Sequence, residues 1–403
     1  KDTDAALVKF VAKQMDKFGS LYCLRNEIKD VNVRFRLCQF KPDLQSDALQ
    51  AQYDKNILRV VQQVYYSENN QNSIDLVLFV NGVPVSTLEL KTDFTQNVWD
   101  AINQYKQDRL PMDAKTKQAE PLLMFKKRSL VHFAVSTDQV YMTTKLNGKS
   151  TFFLPFNKGH NGGAGNPPNP NGYATDYLWK DILTKDTLLN IIGKYIHLEV
   201  TEKEDARGHK YKTETLIFPR YHQVDVVRSL LADVYENGSG RRYLVQHSAG
   251  SGKSNSIAWS AHQLSSIHNA QNQRIFDTVI VVTDRNVLDS QLQDTIAQFE
   301  RTRGVVHAIS RNESGGSKSA KLAEALKEGA SIIVVTIQTF PFVLEEIQKT
   351  TSLKNKRFAI IADEAHSSQS GSTAKKLKQV LSADQIEEGV ALSSDEILSL
   401  AVE

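Results

Sequence analysis

The first 150 residues contain both helical and extended hydrophobic patterns. "ALVKFVAKQM" has helical spacing, whereas "NVRFRLCQF" and "ILRVVQQVYY" are closer to strands. The segment "NSIDLVLFVNGVPVSTLELKTD", residues 72–93, has two β-rich apolar runs around an Asn-Gly pair, the strongest short-range hairpin signal. The pattern predicts a strand-rich domain built around this hairpin.

The hairpin is followed by a helix and further strands. "NVWDAINQYKQDRL" places Val98, Ala101, Ile102 and Tyr105 on one helical face. "SLVHFAVST" and "QVYMTTKL" then predict two more strands of the same sheet. We therefore assign residues 1–156 to one α/β domain.

A stretch rich in Gly, Asn and Pro marks the best internal boundary. No regular element can run through "NKGHNGGAGNPPNPNG", residues 157–172. The amphipathic pattern "DYLWKDILTKDTLLNIIGKYI" that follows predicts a helix packed between domains. Residues 157–212 are accordingly assigned to a linker and a connecting helix.

From about residue 215 the pattern changes to short β-branched runs separated by helical stretches. The runs are "RYLVQHS", "DTVIVVTD", "SIIVVTIQ" and "FAIIADEAH". Near-continuous apolar strands, each followed by a helix, predict a parallel sheet covered on both faces. Residues 213–403 are assigned to this second domain, whose polar motifs follow the strands where ligands bind in such sheets.

Composition narrows the class of protein. The 403 residues are 40% hydrophobic and 24% charged, as in soluble globular chains, and the formal charge of +3 identifies no partner. The sequence has no 18-residue apolar run and no signal-peptide pattern, so we expect a cytoplasmic protein without membrane contact. Cys23 and Cys38 lack the spacing of a zinc or redox site and are expected to be reduced thiols.

"HSAGSGKS", residues 247–254, is a phosphate-binding loop between a strand and a helix. His247 replaces the usual first glycine, so the match is to the core of the motif. Backbone amides can surround the phosphates, Lys253 can reach the β and γ oxygens of ATP, and Ser254 can ligate Mg²⁺. The candidate nucleotide-binding residues are Ala249, Gly250, Ser251, Gly252, Lys253 and Ser254.

"IIADEAH", residues 360–366, supplies the second half of a nucleotide site. Asp363 can hold the magnesium ion, and Glu364 can position and deprotonate the attacking water. His366 is placed to sense the nucleotide or to couple it to nucleic acid. Alone, an Asp-Glu pair after a strand is more often a solvated strand end, but here it follows the phosphate loop by about 110 residues.

The 72–93 hairpin carries three charges on strands that are otherwise apolar. Asp75, thirteen further residues and then Glu89-x-Lys91 match the D…ExK pattern of metal-dependent nucleases. Two carboxylates can hold a divalent metal against a phosphate, and Lys91 can stabilise the developing charge. The alternative is a surface ion pair on an amphipathic hairpin. Apolar residues on both strand faces favour burial, and a buried charge needs a partner or a metal.

The hairpin register decides whether the carboxylates meet. With a two-residue Asn81-Gly82 loop, Asp75 lies opposite Leu88 and Glu89 points to the other face. With a three-residue loop that includes Val83, Asp75 lies opposite Glu89. The metal site requires the second register, so we predict a bulged three-residue turn.

DEAH after a phosphate loop resembles superfamily 2 helicases and translocases, which implies a RecA-like motor lobe. "FPRYHQVDVV" resembles the Q motif, with Gln223 as the adenine reader. "TDRNVLDSQL" and "TIQTF" resemble the motifs that line the nucleic-acid track. The implied DNA contacts are Asp284, Arg285, Thr336 and Gln338. Each of these could equally be an ordinary strand-end cap or loop residue.

Together, the D…ExK hairpin and the DEAH motor closely resemble the R subunit of type I restriction–modification enzymes. "FLPFNKG", "IFPRYHQ" and "DEAHSSQSG" look like that family's sequences. The resemblance implies a restriction-endonuclease-like domain with Asp75, Glu89, Lys91 and Gln104 as catalytic residues. Gln104 stands for a QxxxY motif whose tyrosine position here is Asp108.

The same resemblance implies cofactors and partners. ATP and Mg²⁺ would serve translocation of double-stranded DNA and cleavage of unmethylated DNA away from the recognition site. The M and S subunits of a methyltransferase core would read the sequence, with S-adenosylmethionine bound by M. The chain itself shows no helix-turn-helix or zinc-finger pattern that would read bases.

Alternatives remain open from the sequence. No motif of a second motor lobe follows DEAH, which predicts nucleotide binding with weak turnover by this chain alone. There are two other hypotheses. The first is a superfamily 2 helicase or remodeller with an inactive nuclease-like domain. The second is a regulatory nucleotide-binding module without motor activity. The basic run Lys126-Lys127-Arg128 could contact DNA, although a solvated turn is the simpler interpretation.

Overall fold

The computed structural model describes most of the chain, in nine ranges: 3–92, 96–205, 207–283, 286–298, 306–308, 324–337, 339–353, 355–363 and 400–402. The chain forms two compact units. The first comprises Lys1–Pro42 with Ser46–His222, and the second comprises Asp43–Gln45 with Gln223–Glu403. The first unit therefore extends well past the predicted boundary at residue 156.

The first unit opens with short elements that precede its main sheet. They are α1 (Thr3–Phe18), α2 (Ser20–Arg25), β1 (Ile28–Asp30), β2 (Val33–Phe35) and α3 (Asp47–Asp54). β1 and β2 form a separate antiparallel pair. The predicted N-terminal helix is confirmed, whereas the extended run "NVRFRLCQF" contributes only the three residues of β2.

A six-stranded mixed sheet forms the centre of this unit. Its strands lie in sequence order: β3 (Leu58–Tyr65), β4 (Ser73–Val80), β5 (Val83–Leu90), β6 (Val131–Val135), β7 (Val140–Thr143) and β8 (Leu154–Pro155). Neighbours are antiparallel except β5 and β6, which run parallel. Parallel neighbours need a crossover, and α4 (Val98–Gln107) lies within it. The strands predicted on both sides of the hairpin are confirmed.

Helix α4 packs on this sheet with the face that the sequence predicts. Val98, Ala101, Ile102 and Tyr105 are all buried and join Ile74 in one hydrophobic cluster. A capping box fixes the start of the helix. The Asn97 side chain accepts a hydrogen bond from a backbone amide of the first turn, and the Asp100 side chain accepts one from the Asn97 backbone amide. The buried face of the helix packs on β5 and β6.

Residues 157–222 belong to the first unit. The predicted connecting helix is broken into a π-helical turn (Leu178–Ile182), α5 (Lys185–Asn190) and a second π-helical turn (Ile191–Tyr195). Arg25 ties this segment down by donating to the backbone carbonyls of Ile192 and Ile196. A mostly exposed antiparallel ribbon follows, made of β9 (His197–Glu204) and β10 (Lys210–Ile217).

The second unit is built on a parallel sheet. Its helices are α6 (Tyr221–Asn237), α7 (Lys253–Leu264), α8 (Asn286–Gln298) and α9 (Phe340–Lys349), with a 3₁₀ turn at Thr351–Leu353. Its strands are β11 (Leu244–Val245), β12 (Thr278–Thr283), β13 (Val306–Ala308), β14 (Ile332–Thr336), β15 (Phe358–Asp363) and β16 (Leu400–Val402). Their order is β11-β16-β15-β12-β14-β13, and every pair is parallel.

Both faces of this sheet are covered, as its apolar strands predict. Val279 and Val281 of β12 lie in one hydrophobic cluster, while Ile280 and Val282 lie in a second cluster on the other face. α7 contributes to the first cluster and α9 to the second. The α/β fold class with a RecA-like lobe is confirmed.

Two further features concern the whole chain. Cys23 and Cys38 are free and buried, and burial raises the pKa of their thiols to about 11 and about 12. Among the helices described, none combines the length and the apolar character that crossing a bilayer requires.

Candidate functional site

The hairpin register places the two carboxylates opposite each other, by a different route from the predicted one. The turn contains only Asn81 and Gly82, both at positive φ, and Val80 pairs directly with Val83. Strand β5 contains a bulge with one extra residue between Pro84 and Ser86, and the register shifts there so that Leu78 pairs with Ser86. The predicted three-residue loop is therefore wrong.

The shifted register continues to Leu76 opposite Leu88, and one residue further along it sets Asp75 against Glu89. The Leu90 amide, next to Glu89, donates to Asp75 Oδ2 at 2.8 Å. Opposed residues of an antiparallel pair share a face, so both carboxylates point to the same side of the sheet. The predicted juxtaposition therefore holds, although a strand bulge rather than the turn produces it.

Glu89 is fully buried and paired with an arginine that the sequence analysis did not single out. Arg109 lies just after α4, is 7% exposed and donates its Nε–H to Glu89 Oε1 at 2.7 Å. Burial raises the pKa of Glu89 to about 7; the neighbouring Asp75 carboxylate adds to this rise and the Arg109 guanidinium opposes it. A charge on a strand that is apolar on both faces was the signal that a cationic partner existed.

Lys91 and Gln104 meet at the same place. Lys91 Nζ donates to Gln104 Oε1 at 2.6 Å, which joins the end of β5 to α4. Asp75 is half-buried; its Oδ2 accepts from the Leu90 amide at 2.8 Å and its Oδ1 from Gln63 Nε2 at 3.1 Å. The structure thus brings Asp75, Glu89, Lys91 and Gln104 together at the end of the hairpin that lies away from its turn.

A buried polar network lies beneath these residues. Thr87 precedes Glu89 by two positions on the same strand face, and its Oγ1 lies 2.8 Å from Tyr105 Oη and 2.7 Å from His132 Nδ1. Burial lowers the pKa of His132 to about 3 and raises that of Tyr105 well above its usual value. The network ties α4 to β5 and β6 and so fixes the helix that carries Gln104.

The hairpin residues fit a divalent metal. Glu89 Oε2 is buried without a hydrogen-bond partner, and a second carboxylate stands opposite it. Carboxylate oxygens are the ligands that Mg²⁺ prefers. No cluster of three or more acidic, His or Cys side chains suited to a metal occurs in the part of the chain that the structure describes. Within that part, the two hairpin carboxylates are the candidate ligands.

The phosphate loop of the second unit is shaped by its backbone. It runs from the short strand β11 to α7, whose first residue is Lys253. Gly250 and Gly252 have φ of 73° and 84°, a conformation that favours glycine. Ala249 and Ser254 are exposed, so the loop and the first turn of α7 are open to a ligand.

Gln223 contacts the phosphate loop itself. It is buried near the start of α6, and its Nε2 donates to the carbonyls of Ser251 at 3.2 Å and Gly252 at 3.0 Å. These bonds fix the loop backbone. Its role as an adenine reader stays a prediction.

The remaining motor residues follow the strands of the parallel sheet. Asp363 ends β15 and Thr336 ends β14, at the edge that also carries the phosphate loop after β11. Thr336 is buried, with its hydroxyl 3.0 Å from that of Thr339, as in an ordinary strand-end turn. The other predicted residues lie outside the described residues: Asp284, Arg285, Gln338, Glu364 and His366.

The basic run at 126–128 is engaged within the first unit. Lys126 pairs with Glu214, Lys127 donates to the Asp16 carbonyl, and Arg128 pairs with the Asp16 carboxylate at 2.8 Å. A fully solvated basic turn does not describe these side chains.

Two family models match the chain, one in each unit. Residues 38–151 match the N terminus of type I restriction enzyme R proteins, and residues 222–386 match the SWI2/SNF2 ATPase. The first match contains the D…ExK hairpin, and the second contains the phosphate loop and DEAH.

Curated relatives agree with both matches. The chain is 23% identical over 351 residues to the endonuclease subunit proposed for type I restriction enzyme MjaVIIIP of Methanocaldococcus jannaschii, which covers 81% of this chain and 30% of that protein. It is 26% identical over 310 residues to the type I restriction enzyme HindI endonuclease subunit of Haemophilus influenzae, covering 75% and 26% respectively. The chain thus spans less than a third of the length of these relatives.

A solved structure, the UvsW helicase from bacteriophage T4, also matches. It is 20% identical and covers 42% of this chain and 49% of its own, with a TM-score of 0.27, which is too low to support an argument. The two family matches and the curated relatives carry the assignment. The chain is an HsdR-like protein, in which the N-terminal domain of type I restriction enzyme R proteins precedes a SWI2/SNF2-type ATPase domain.

Proposed function

We propose that this chain forms the nuclease and first motor lobe of a type I restriction subunit, which translocates double-stranded DNA with ATP and cuts unmethylated DNA away from the recognition site. One observation carries the nuclease half of the proposal. A fully buried carboxylate with one unpartnered oxygen stands opposite a second carboxylate, beside a lysine held by Gln104. An amphipathic surface hairpin would need none of these features.

The hairpin residues would divide the work of phosphodiester cleavage. Asp75 and Glu89 would hold Mg²⁺, which supplies Lewis-acid activation of the phosphate and of water. Lys91, oriented by Gln104, would donate to a phosphate oxygen and stabilise the charge that develops there. The buried Thr87–Tyr105–His132 network would fix α4 relative to β5. Gln104 on α4 would then hold Lys91 in position.

The second unit would use its phosphate loop for ATP. Lys253 would bind the β and γ phosphates, and Ser254 with Asp363 would hold the Mg²⁺ that accompanies the nucleotide. Glu364 would activate the attacking water, and His366 would sense the nucleotide. Gln223 would hold the loop backbone in shape through Ser251 and Gly252.

Partners follow from the same proposal. The M and S subunits would recognise the DNA sequence and its methylation, with S-adenosylmethionine bound by M. Asp284, Arg285 and Gln338 are the proposed contacts to double-stranded DNA in this chain. Thr336, which is buried with its hydroxyl against that of Thr339, would hold the turn after β14 in place. Cleavage would then depend on a complex with these partners, not on this chain alone.

The test is plasmid cleavage by the full-length subunit that contains this chain, assembled with its M and S subunits, ATP and Mg²⁺. Lys91→Ala and Lys253→Ala are compared with the unchanged subunit. We expect Lys91→Ala to lose cleavage while keeping DNA-stimulated ATP hydrolysis, because it alters only the nuclease unit. Lys253→Ala should lose ATP hydrolysis, and cleavage with it.

Two outcomes would contradict the proposal. Normal cleavage by Lys91→Ala would make the hairpin charges structural. ATP hydrolysis without any cleavage by the unchanged, fully assembled subunit would instead favour a helicase or remodeller with an inactive nuclease-like domain.

A further inference from the structure

The buried pair of Glu89 and Arg109 has a consequence for metal binding. Glu89 is fully buried, and Arg109 Nε lies 2.7 Å from its Oε1. A buried carboxylate is stable only when a cation or several donors compensate its charge. Arg109 supplies that cation, so Glu89 is compensated before any metal arrives.

The arrangement still leaves room for a metal ligand. Glu89 Oε2 has no hydrogen-bond partner although it is buried, while Arg109 occupies only Oε1. Asp75 stands opposite on the neighbouring strand. One Glu89 oxygen is therefore committed to the arginine, and the other is available on the side of the second carboxylate.

When both carboxylates are ionised, as metal ligation requires, the formal charges of the site sum to zero. Asp75 and Glu89 contribute two negative charges, and Lys91 and Arg109 contribute two positive ones. A divalent cation approaching a neutral, partly buried site gains little Coulomb energy and meets two like charges. A phosphate group of DNA entering the same site restores a net negative charge.

We propose that Arg109 is a positioning residue that keeps the hairpin metal site weak until a DNA phosphate enters, so that metal and DNA bind cooperatively. The inference rests on the proposed nuclease function. It assigns to Arg109 the regulation of that site, because the guanidinium both orients Glu89 and offsets its charge. Removing the positive charge while keeping the side-chain volume should strengthen metal binding without DNA.

The test measures Mn²⁺ binding to the full-length subunit by electron paramagnetic resonance, without ATP, in the presence and absence of a short DNA duplex. Arg109→Met removes the charge. Arg109→Gln also removes it but keeps an N–H donor for Glu89, in case the methionine variant folds poorly. Arg109→Lys keeps the charge, and Glu89→Gln removes a proposed ligand.

We expect the unchanged subunit to bind Mn²⁺ weakly alone and more tightly with the duplex. Arg109→Met and Arg109→Gln should bind Mn²⁺ about tenfold to hundredfold more tightly without DNA, and should gain less from the duplex. Arg109→Lys should behave like the unchanged subunit. Mn²⁺ should also raise the melting temperature of the neutral variants more than that of the unchanged subunit.

Arg25→Met is the matched control. Arg25 lies in the same unit, away from the hairpin carboxylates, and donates to the backbone carbonyls of Ile192 and Ile196. Its loss should lower the melting temperature and leave Mn²⁺ affinity unchanged, which separates general destabilisation from the effect of charge.

The failures of the two proposals are distinguishable. If Glu89→Gln abolishes Mn²⁺ binding but both neutral Arg109 variants bind it no more tightly than the unchanged subunit, the role given to Arg109 is wrong and the nuclease site stands. If Glu89→Gln leaves Mn²⁺ binding unchanged with and without DNA, the hairpin is not a metal site, and the proposed nuclease function falls as well.

Discussion

The two candidate sites handle charge in opposite ways. The hairpin site consists of side chains, and its central carboxylate is fully buried against Arg109. The phosphate loop consists mainly of backbone, with two glycines at positive φ and exposed residues at Ala249 and Ser254. We propose that both bind phosphates; among the described residues of the two sites, the buried ion pair lies in the hairpin.

This difference separates what each site depends on. A buried ion pair is costly to break because the remaining charge cannot be hydrated. An exposed loop loses little stability when one side chain changes, and depends instead on the hydrogen bonds that fix its backbone. Changes at the hairpin should therefore affect the stability of the first unit, whereas changes at the loop should affect nucleotide affinity.

The largest effect is expected when the buried pair is broken. Glu89→Ala should lower the free energy of unfolding of the first unit by about 3–5 kcal/mol, because Arg109 then stays buried without a carboxylate. Hydrogen exchange of the β6 amides would measure it. The double variant Glu89→Ala with Arg109→Met should recover most of the loss.

Ser254→Ala provides the comparison from the phosphate loop. Its side chain is exposed, so the free energy of unfolding should change by less than about 0.5 kcal/mol.

The double variant Glu89→Ala with Arg109→Met tests the cause of the instability. If it is no more stable than Glu89→Ala alone, the unpaired arginine is not the source of the instability.

A smaller effect is expected from pH, through His132 under the hairpin. Burial lowers the pKa of His132 from 6.5 to about 3, so the unfolded chain binds a proton that the folded chain does not. Above pH 6.5 neither state binds this proton, and His132 does not lower the stability. As the pH falls from 6.5 towards 3, protonation favours the unfolded chain, and the free energy of unfolding decreases. Between pH 6.5 and 5 the free energy of unfolding should fall by about 2 kcal/mol.

His132→Asn isolates this contribution, since asparagine does not titrate and can still bond to Thr87. His197, whose pKa burial also lowers to about 4, contributes equally to both proteins. Denaturant unfolding at pH 7 and pH 5 should show a shallower pH dependence for His132→Asn. Identical dependence in the two proteins would contradict the assignment.

A smaller effect than that of pH is expected at the phosphate loop, from Gln223→Ala. Two neutral hydrogen bonds to the carbonyls of Ser251 and Gly252 would be lost, worth about 1–1.5 kcal/mol, or roughly tenfold in ATP affinity. Titration of the full-length subunit with fluorescent ATP and GTP analogues would measure it.

The two nucleotides separate the two roles of Gln223. If the glutamine fixes the loop backbone, affinity for both analogues should fall equally. A loss confined to the adenine analogue would support the adenine-reading role instead.

Local patterns predicted most of the fold. The four buried positions of α4 and the apolar strands of the parallel sheet follow from periodicity, because burial imposes the spacing. The broken helix over 178–195 was missed, since its π-helical turns leave the apolar pattern looking continuous. The extent of the first unit depends on packing by residues distant in sequence, such as Arg25.

The candidate site was predictable in its residues but not in its geometry. Asp75, Glu89, Lys91 and Gln104 follow from spacing and resemblance, and the structure brings them together. A longer turn and a bulge within β5 satisfy the spacing equally well, so sequence alone could not choose between them. Arg109 lies 20 positions from Glu89, and only the packing of α4 on β5 reveals that they meet.

The β5 bulge also limits how the spacing between the two carboxylates can vary among related proteins. In a regular hairpin closed by a two-residue turn, an even number of residues separates opposed positions, whereas thirteen separate Asp75 from Glu89. An odd count survives only with a bulge or an odd-length turn. Relatives that keep both the tight turn and the bulge should therefore lengthen or shorten this segment by two residues at a time.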